Sequence, residues 1–419
     1  MSGCLRGYSE DKDKLRIVVL TSSYPRFLGD GTAPFVKSIA EHLVQQGHDV
    51  EVVAPYDADV RPMDTNGVQV HRFRFIWPSR LHIIGHARSL IADVHLRIPV
   101  VLLLPFFLIA AFVSLLKATK RQRSEVIYVH WVLPNGLVGA WVAAIRKIPF
   151  VISVHGSDIY MAQRNWLFRS IARSIFQRAS AVTACSPELY QAAKALGAPE
   201  KTLLLAWGAD PQLFHPTLHP LEDRLTFGWH QSELVIVALG RMVYKKGFFV
   251  LIKALQEIVS LYPRVRLVFG GDGPLREELV HEADRLGVSD HVSFIGRIPW
   301  NQVNEFLASA DIFVLPSIKD KYGNVDGLPT VLLEAMSCGT PVIASDIGGV
   351  RMVVENGLTG LLVPQGDSHA LADAIASLAE DPEKRHTIGK AARRAVEEKF
   401  NWNNVILQLV NLFEQTIRV

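Results

Sequence analysis

Two doubly wound α/β domains facing each other across a cleft are the fold this sequence predicts. Three observations carry that prediction. Short β-branched runs alternate with helical stretches along nearly the whole chain, the pattern of parallel sheets with crossover helices. The alternation breaks once, between Asp210 and Leu234, into Asp-Pro, His-Pro and His-Pro steps and a polar stretch. It then restarts, and at about 150 residues per domain a chain of 419 residues has room for two or three such units.

In the first half, Leu15–Leu20 reads as a strand, Ala33–Gln46 as a helix stopped by Gly47, and Val50–Ala54 as the next strand. Further strands are expected at Val68–Phe75, Val126–His130, Phe150–Val154 and Ala181–Ala184. Beyond the break, strands are expected at Leu234–Leu239, Arg266–Phe269, Val292–Ile295, Ile312–Leu315, Pro341–Ala344 and Gly360–Val363. Helices fill the gaps at Phe248–Leu261, Pro274–Leu286 and Thr330–Ser337, and two more close the chain near Pro382–Lys399 and Trp402–Ile417. The domains therefore divide as 1–212 and 213–401, with 402–419 a candidate to complete the first. Ligands of such open sheets lie at the carboxyl ends of the strands, which places the site in the cleft.

Composition narrows the function. Lys+Arg 44 against Asp+Glu 41 is too balanced for a dedicated nucleic-acid binder. An apolar fraction of 49% excludes disorder. Cys4, Cys185 and Cys338 are too few and too scattered for a disulfide framework or a cysteine zinc site, which suits a reducing, cytoplasmic compartment. The first residues carry no apolar core of a secretory signal.

The charge is unevenly spread. From Arg61 to Arg123 there are ten Lys/Arg against Asp64 and Asp93, a local +8 that leaves the rest of the chain at −5. Within it lies Ile98–Leu116, 19 residues without charge, followed at once by Lys117, Lys120, Arg121 and Arg123. A run of that length is formally a membrane-span candidate, but Pro99 and Pro105 argue against a regular span. The expected order is a helix packed on the sheet first, a membrane-dipping helix next, a true span last. The basic flanks suit anionic headgroups and keep an anionic membrane surface among the expected partners.

Four clusters fall just after expected strands. In Tyr24-Pro25-Arg26-Phe27-Leu28-Gly29-Asp30-Gly31, glycines let backbone amides approach an anion at a helix start; an ordinary βα loop reads equally well. In His155-Gly156-Ser157-Asp158, the histidine can point into the cleft with little cover, or serve as a hydrogen-bonded packing residue. The neighbouring His130–Gly136 stretch shapes the wall. In Gly240–Gly247, Arg241 and Lys246 at one strand end can converge on a diphosphate, one as a planar fork and one as a point charge. In Asp326–Met336, Gly327, Leu328, Pro329 and Thr330 stand at a helix start suited to a phosphate or sugar oxygen. Glu334, among apolar neighbours, needs hydroxyl or cation partners, unless it is bonded to the backbone.

Together these clusters resemble the retaining nucleotide-sugar glycosyltransferases of the GT-B fold, glycosyltransferase family 4, over almost the whole chain. The most specific part is DGLPTVLLEAMSCGTPVIAS (Asp326–Ser345), similar to the family's E-x7-E region; GRMVYKKG, GGDGP (Gly270–Pro274), HGSD and Gly208-Ala209-Asp210…Phe214 match other signatures. The resemblance implies that Arg241 and Lys246 hold the donor diphosphate, Glu334 accepts from the ribose hydroxyls and Asp326 faces the transferred sugar. It further implies that Gly29 and Gly31 approach the phosphates, His155 contacts the sugar near the reaction centre, and the loop around Arg297 lies beside the nucleobase. No Asp-x-Asp stands in a matching position, so a metal ion is not expected, nor any cofactor beyond the nucleotide-sugar substrate. The implied activity is hexosyl transfer with retention to a lipid-linked or polysaccharide acceptor at the cytoplasmic membrane face. Two other readings share the scaffold: a nucleotide-sugar epimerase and a non-catalytic nucleotide-sugar-binding protein. Asp326 in place of the more usual Glu, Arg351-Met352 in place of Pro-Glu, and Trp207 in place of Asn depart from the family pattern.

Overall fold

The computed structural model describes residues 14–86, 90–91, 95–96, 98–217, 220–321 and 323–418. Cys4, Arg88, Asp93 and Arg97, which entered the cysteine and charge readings, lie outside them. The first sheet takes its strands from β1 (Arg16–Leu20), β2 (Asp49–Pro55) and β3 (Gln69–Phe73). A two-stranded antiparallel ribbon follows, β4 (Leu90–Ile91) and β5 (His95–Leu96). The sheet then resumes with β6 (Val126–His130), β7 (Phe150–Val154), β8 (Ala181–Ala184) and β9 (Thr202–Leu204). Its order, β3-β2-β1-β6-β7-β8-β9, is parallel throughout and reverses direction between β1 and β6. Such strands are covered on both faces, and β6, β7 and β8 are buried at every position. Each large apolar side chain so buried contributes roughly 1.5–3 kcal/mol.

The helices of this half are α1 (Pro34–Gln45), α2 (Ile98–Gln122), α3 (Leu137–Arg146), α4 (Ser157–Arg164), α5 (Trp166–Phe176) and α6 (Pro187–Ala195). Pro34 opens α1 because a proline in the first turn forfeits no internal hydrogen bond. Sequence periodicity alone did not separate α4 from α5; Asn165 does, its side-chain oxygen accepting from the amides of Leu167 and Phe168 at 2.9 and 3.2 Å.

The stretch expected as a linker carries a helix, α7 (Pro220–Thr226). Pro220 at its start and Glu222 and Asp223 in its first turn are helix-opening residues, so the second half of the expected break is structured. The second sheet comprises β10 (Leu234–Leu239), β11 (Val265–Gly270), β12 (Val292–Gly296), β13 (Ile312–Leu315), β14 (Val342–Ser345) and β15 (Leu361–Val363), in the parallel order β12-β11-β10-β13-β14-β15. Its helices are α8 (Phe248–Ile258), α9 (Arg276–Arg285), α10 (Val303–Ala308), α11 (Thr330–Ser337), α12 (Val350–Val353), α13 (Ser368–Ala379) and α14 (Pro382–Glu398). The last helix, α15 (Trp402–Ile417), packs on α1 in the first half. The chain therefore passes between the halves twice, and the two passages lie side by side as a parallel bridge between Ala209 and Asn401.

The charge-free run forms α2, whose inner face (Val100, Phe107, Ala111, Leu115, Ala118) is buried along its whole length. Of the three expected placements, packing on the sheet is shown: α2 lies against β1, β2 and β3. Pro99 sits in the first turn and only Pro105 falls inside.

Candidate functional site

Both sheets present the carboxyl ends of their strands to the gap between the halves. A cleft of about 790 Å³ opens there, lined by Arg26, Gly29, Gly31, Trp131, Arg241 and Arg297 among others. A second cavity of about 260 Å³ adjoins it and is lined by Gly29, Trp300, Thr330, Glu334 and Trp402 among others. The two share Phe27, Gly29, Asp30 and Phe35 as a partition. Gly29, at φ 82°, lies so close to Trp300 that a Cβ there would be 3.4 Å from that residue's Cβ. Loop and indole together divide the gap.

A charge clip holds the 24–31 loop. The Arg26 guanidinium donates to Asp30 at 2.7 Å and faces Asp59 at 3.3 Å and Asp57 at 3.6 Å. Asp30 also accepts from the Thr32 hydroxyl at 2.7 Å. Burial alone would raise the Asp30 carboxyl, but these donors hold it down at about 2. The sequence signal for this clip was an Arg and an Asp four apart within a loop, and the glycines drew the reading instead.

His155 departs from the expectation of little cover. Its ring is stacked among Trp131, Phe35 and Trp207, with centroids 4.6, 4.9 and 5.7 Å away. One ring nitrogen lies 3.0 Å from Nδ1 of His130. Burial, and then His130, hold the His155 imidazole neutral by pushing its pKa well down; burial takes His130 to about 3. The glycine after His155 frees the backbone, but residues distant in sequence supply the cover. Asp158, the last residue of HGSD, accepts from the amides of Val132, Gly156 and His155 at 2.7, 3.1 and 3.3 Å. It thereby ties the loop after β6 to the loop after β7.

In the second half, Arg241 follows β10 and reaches the larger cleft together with Arg297, which follows β12. The glycines around them answer to close packing. Gly271, at φ 114°, lies where a Cβ would stand 2.1 Å from the Gly240 carbonyl oxygen, so the turns after β10 and β11 sit back to back.

Lys246 corrects the expectation of an ammonium projecting toward the diphosphate: it does not line either cavity. Its Nζ is 2.8 Å from one carboxylate oxygen of Asp326, and Lys245 is 3.3 Å from the other. Asp326 is correspondingly held between two ammonium groups rather than facing open space; burial would raise its carboxyl, but Lys246 and then Lys245 keep it far below the usual range. The residue before α8, Gly247, has φ 65° and no room for a Cβ, which would meet the Pro316 carbonyl oxygen at 1.9 Å. Gly247→Ala is expected to cost about 2–4 kcal/mol of stability in chemical denaturation. Gly31→Ala, where nothing lies within 4 Å of the new Cβ, is expected to stay within about 0.5 kcal/mol.

At the start of α11 the expected row of amides is shortened. Pro329, which has no N–H, is the N-cap residue. Leu328 is buried and its N–H reaches the Cys185 sulfur, while the Gly327 carbonyl accepts from Gly349 at 2.5 Å. Thr330 is left as the first helical residue facing the smaller cavity. Glu334 stands one turn further in, buried yet on that cavity's wall. Burial pushes its carboxyl up to about 7, with the Thr330 hydroxyl as the opposing hydrogen bond. Of the residues read from the sequence, Gly29, Gly31, Arg241 and Arg297 meet in the larger cleft, Thr330 and Glu334 in the smaller, and Gly29 borders both. Lys246 and Asp326 form a pair of their own. Trp300 and Lys245 had no reading as site residues; a Trp after a strand end and the first member of a Lys-Lys step are the signals they offered.

Comparison with known proteins bears on what this gap binds. Residues 222–395 match the family model described as glycosyl transferases group 1, and residues 30–208 match a glycosyl transferase 4-like domain. The chain is 26% identical over 412 residues to an uncharacterized glycosyltransferase of Methanocaldococcus jannaschii, covering 96% of this chain and 98% of the relative. It is 32% identical over 299 residues to the GDP-mannose-dependent alpha-(1-6)-phosphatidylinositol monomannoside mannosyltransferase of Mycolicibacterium smegmatis, covering 69% of this chain and 76% of the relative. Among solved structures, Anabaena HepE in complex with UDP superposes with a TM-score of 0.75 at 22% identity, covering 96% of this chain and all of that one (100%).

Proposed function

The chain belongs to the glycosyl transferases group 1 family and has its GT-B fold, and from that premise we propose that it moves a hexose-type sugar from a nucleotide-sugar donor to a lipid-linked or polysaccharide acceptor, with retention and without a metal ion. The observation that carries the reading is the convergence of Arg241, Arg297 and the Gly29–Gly31 loop on one cleft at the carboxyl ends of both sheets.

In this reading the diphosphate lies against Arg241, and its ribose reaches the carboxylate of Glu334. As the bond from the anomeric carbon to the phosphate oxygen breaks, negative charge gathers on the departing diphosphate, and the guanidinium groups stabilise it where it forms. The acceptor hydroxyl adds from the same face, and its proton passes to the leaving phosphate oxygen. Neutral His155 is suited to accept a hydrogen bond from, or donate one to, a sugar hydroxyl, held in place by its aromatic neighbours. Lys246 acts through Asp326, whose carboxylate it holds ionised and in place. The acceptor and the cytoplasmic membrane face are proposed by likeness to the phosphatidylinositol mannoside relative.

The test is a thermal-shift series with UDP-, GDP- and ADP-sugars. A ligand at a hundred times its Kd stabilises the native state by about 2.7 kcal/mol, so one nucleotide class is expected to raise the melting midpoint by a few degrees. Product anomers resolved by NMR then report retention. A protein indifferent to all three at millimolar concentration does not carry a nucleotide-sugar site here.

A further inference from the structure

Three consecutive crossovers, β3 to β6, β6 to β7 and β7 to β8, run in one direction across the first sheet. Right-handed connections then place α2, α3 and α5 on a single face, and α3 touches both of the others. Two properties coincide on that face.

The first is apolar excess. From Ile98 to Leu116, α2 is apolar all round, which is stable only where a non-aqueous medium covers both sides. The sheet covers one. On the other, Ile98, Leu102, Phe106, Ile109 and Val113 recur at helical spacing and stay exposed, Ile98 at 79%, Leu102 at 71% and Ile109 at 64%. Only 22% of the helix's most apolar window is buried. From α3, Trp141 and Ile145 extend the patch, the indole meeting Phe112 edge-on.

The second is charge. Between Val94 and Pro187 the sequence holds eleven Lys/Arg and only two acids, Glu125 and Asp158. Neither acid offsets the face: Asp158 is buried and Glu125 is paired with Arg16. Helices α2, α3 and α5 contain no acidic residue at all. Lys117 and Lys120 continue the exposed stripe of α2 in its last turns, Arg123 and Lys147 follow the ends of α2 and α3, and Arg169 and Arg173 stand on α5, all exposed.

We infer that this face docks on an anionic bilayer, with α2 lying in the plane of the interface. Its outer stripe enters the acyl boundary and the basic residues meet the headgroups. Charge complementarity selects a lipid surface over a second copy, because a two-fold interface would set the acid-free helices α2, α3 and α5 against themselves. Packing excludes a span: from Val100 to Thr119 the inner side of α2 is bound to the sheet, and crossing a bilayer would strip it away. The inference goes beyond the proposed reaction and is independent of donor binding, so each can fail alone.

The experiment is co-sedimentation of the full chain with vesicles of phosphatidylcholine containing roughly one third phosphatidylglycerol, and with phosphatidylcholine alone, near ~0.1 M salt. The wild type is expected to pellet with the anionic vesicles and to be released by added salt. Lys117→Gln/Lys120→Gln/Arg123→Gln is expected to weaken binding about 100-fold, and Leu102→Gln/Phe106→Gln/Ile109→Gln by at least about 10-fold. Both variants change exposed side chains, so their melting midpoints and donor-induced shifts should match the wild type. A wild type left in the supernatant with anionic vesicles overturns the inference, as does binding that neither variant weakens. A dimer in sedimentation velocity that the apolar variant abolishes overturns it too, by assigning the face to a second copy.

Discussion

Arg241→Ala is expected to lower kcat for sugar transfer by about 10²- to 10³-fold, the usual effect of removing one donor from a site where anionic charge develops. Arg241 reaches the cleft that it shares with Arg297 and the Gly29–Gly31 loop. In the proposed reading it acts on the departing diphosphate, so kcat should fall more than KM rises. Lys246→Ala should fall in the same range by another route. Its ammonium is bound to Asp326 at 2.8 Å, and its loss leaves only Lys245, at 3.3 Å, to hold that carboxylate ionised. A pH profile distinguishes the two. The Lys246 variant should show the Asp326 ionisation moved up toward the assay range, while the Arg241 variant keeps the wild-type profile. Steady-state turnover of the cognate donor by the Arg241 variant at the wild-type rate would dispose of the phosphate assignment.

Glu334→Gln should have effects of opposite sign on stability and on donor binding. The carboxyl is raised from 4.5 to about 7 by burial. Below 4.5 it is protonated in both folded and unfolded chains and costs nothing. Between 4.5 and 7 the folded chain binds more protons than the unfolded one, so stability falls as pH rises. Above 7 the full penalty is present, on the order of 3 kcal/mol. Glutamine carries no such penalty, so the variant should melt higher than wild type at pH 8 and level with it near pH 4.5. Ribose hydroxyls donate to a carboxylate better than to an amide, so the same variant should bind its nucleotide at least about tenfold more weakly. Donor affinity of the wild type should then rise with pH through 7, with a proton released on binding. A melting difference independent of pH between 5 and 8 would show that Glu334 is not the group that titrates.

The fold was legible because parallel strands must be buried on both faces, so their residues read as unbroken apolar runs. Val126–His130, Phe150–Val154, Ala181–Ala184 and Ile312–Leu315 stand in the structure at the boundaries the sequence suggests. Half-exposed β9, only three residues long at the edge of the apolar stretch Leu203–Trp207, escaped. The site was legible only as far as local chemistry goes. Gly29, Arg241, Arg297 and Glu334 stand on loop ends and a helix start, positions that a strand pattern already fixes. Partnership is not local. That Lys246 turns to Asp326, 80 positions away, or that Phe35 and Trp207 close over His155, depends on packing between segments whose approach no spacing reveals. The exposed stripe of α2 was likewise half visible: composition gave the apolar run, and only the position of the sheet shows which side of it is left uncovered.

Ala209 and Asn401 sit side by side, and they are where the backbone leaves one half for the other and returns. Two adjacent covalent tethers define a hinge axis, about which the halves can swing while staying in register. Trp402 braces that hinge by packing over Gly208. Across the smaller cavity from it, Gly29 and Trp300 approach each other from the two halves. In the proposed reading a donor that touches both Arg241 and Glu334 spans the two cavities that Gly29 borders. A disulfide fastening the loop to the indole's position is then expected to restrict rotation about Ala209 and Asn401 and to slow steady-state turnover, while leaving Arg241 and Glu334 in place.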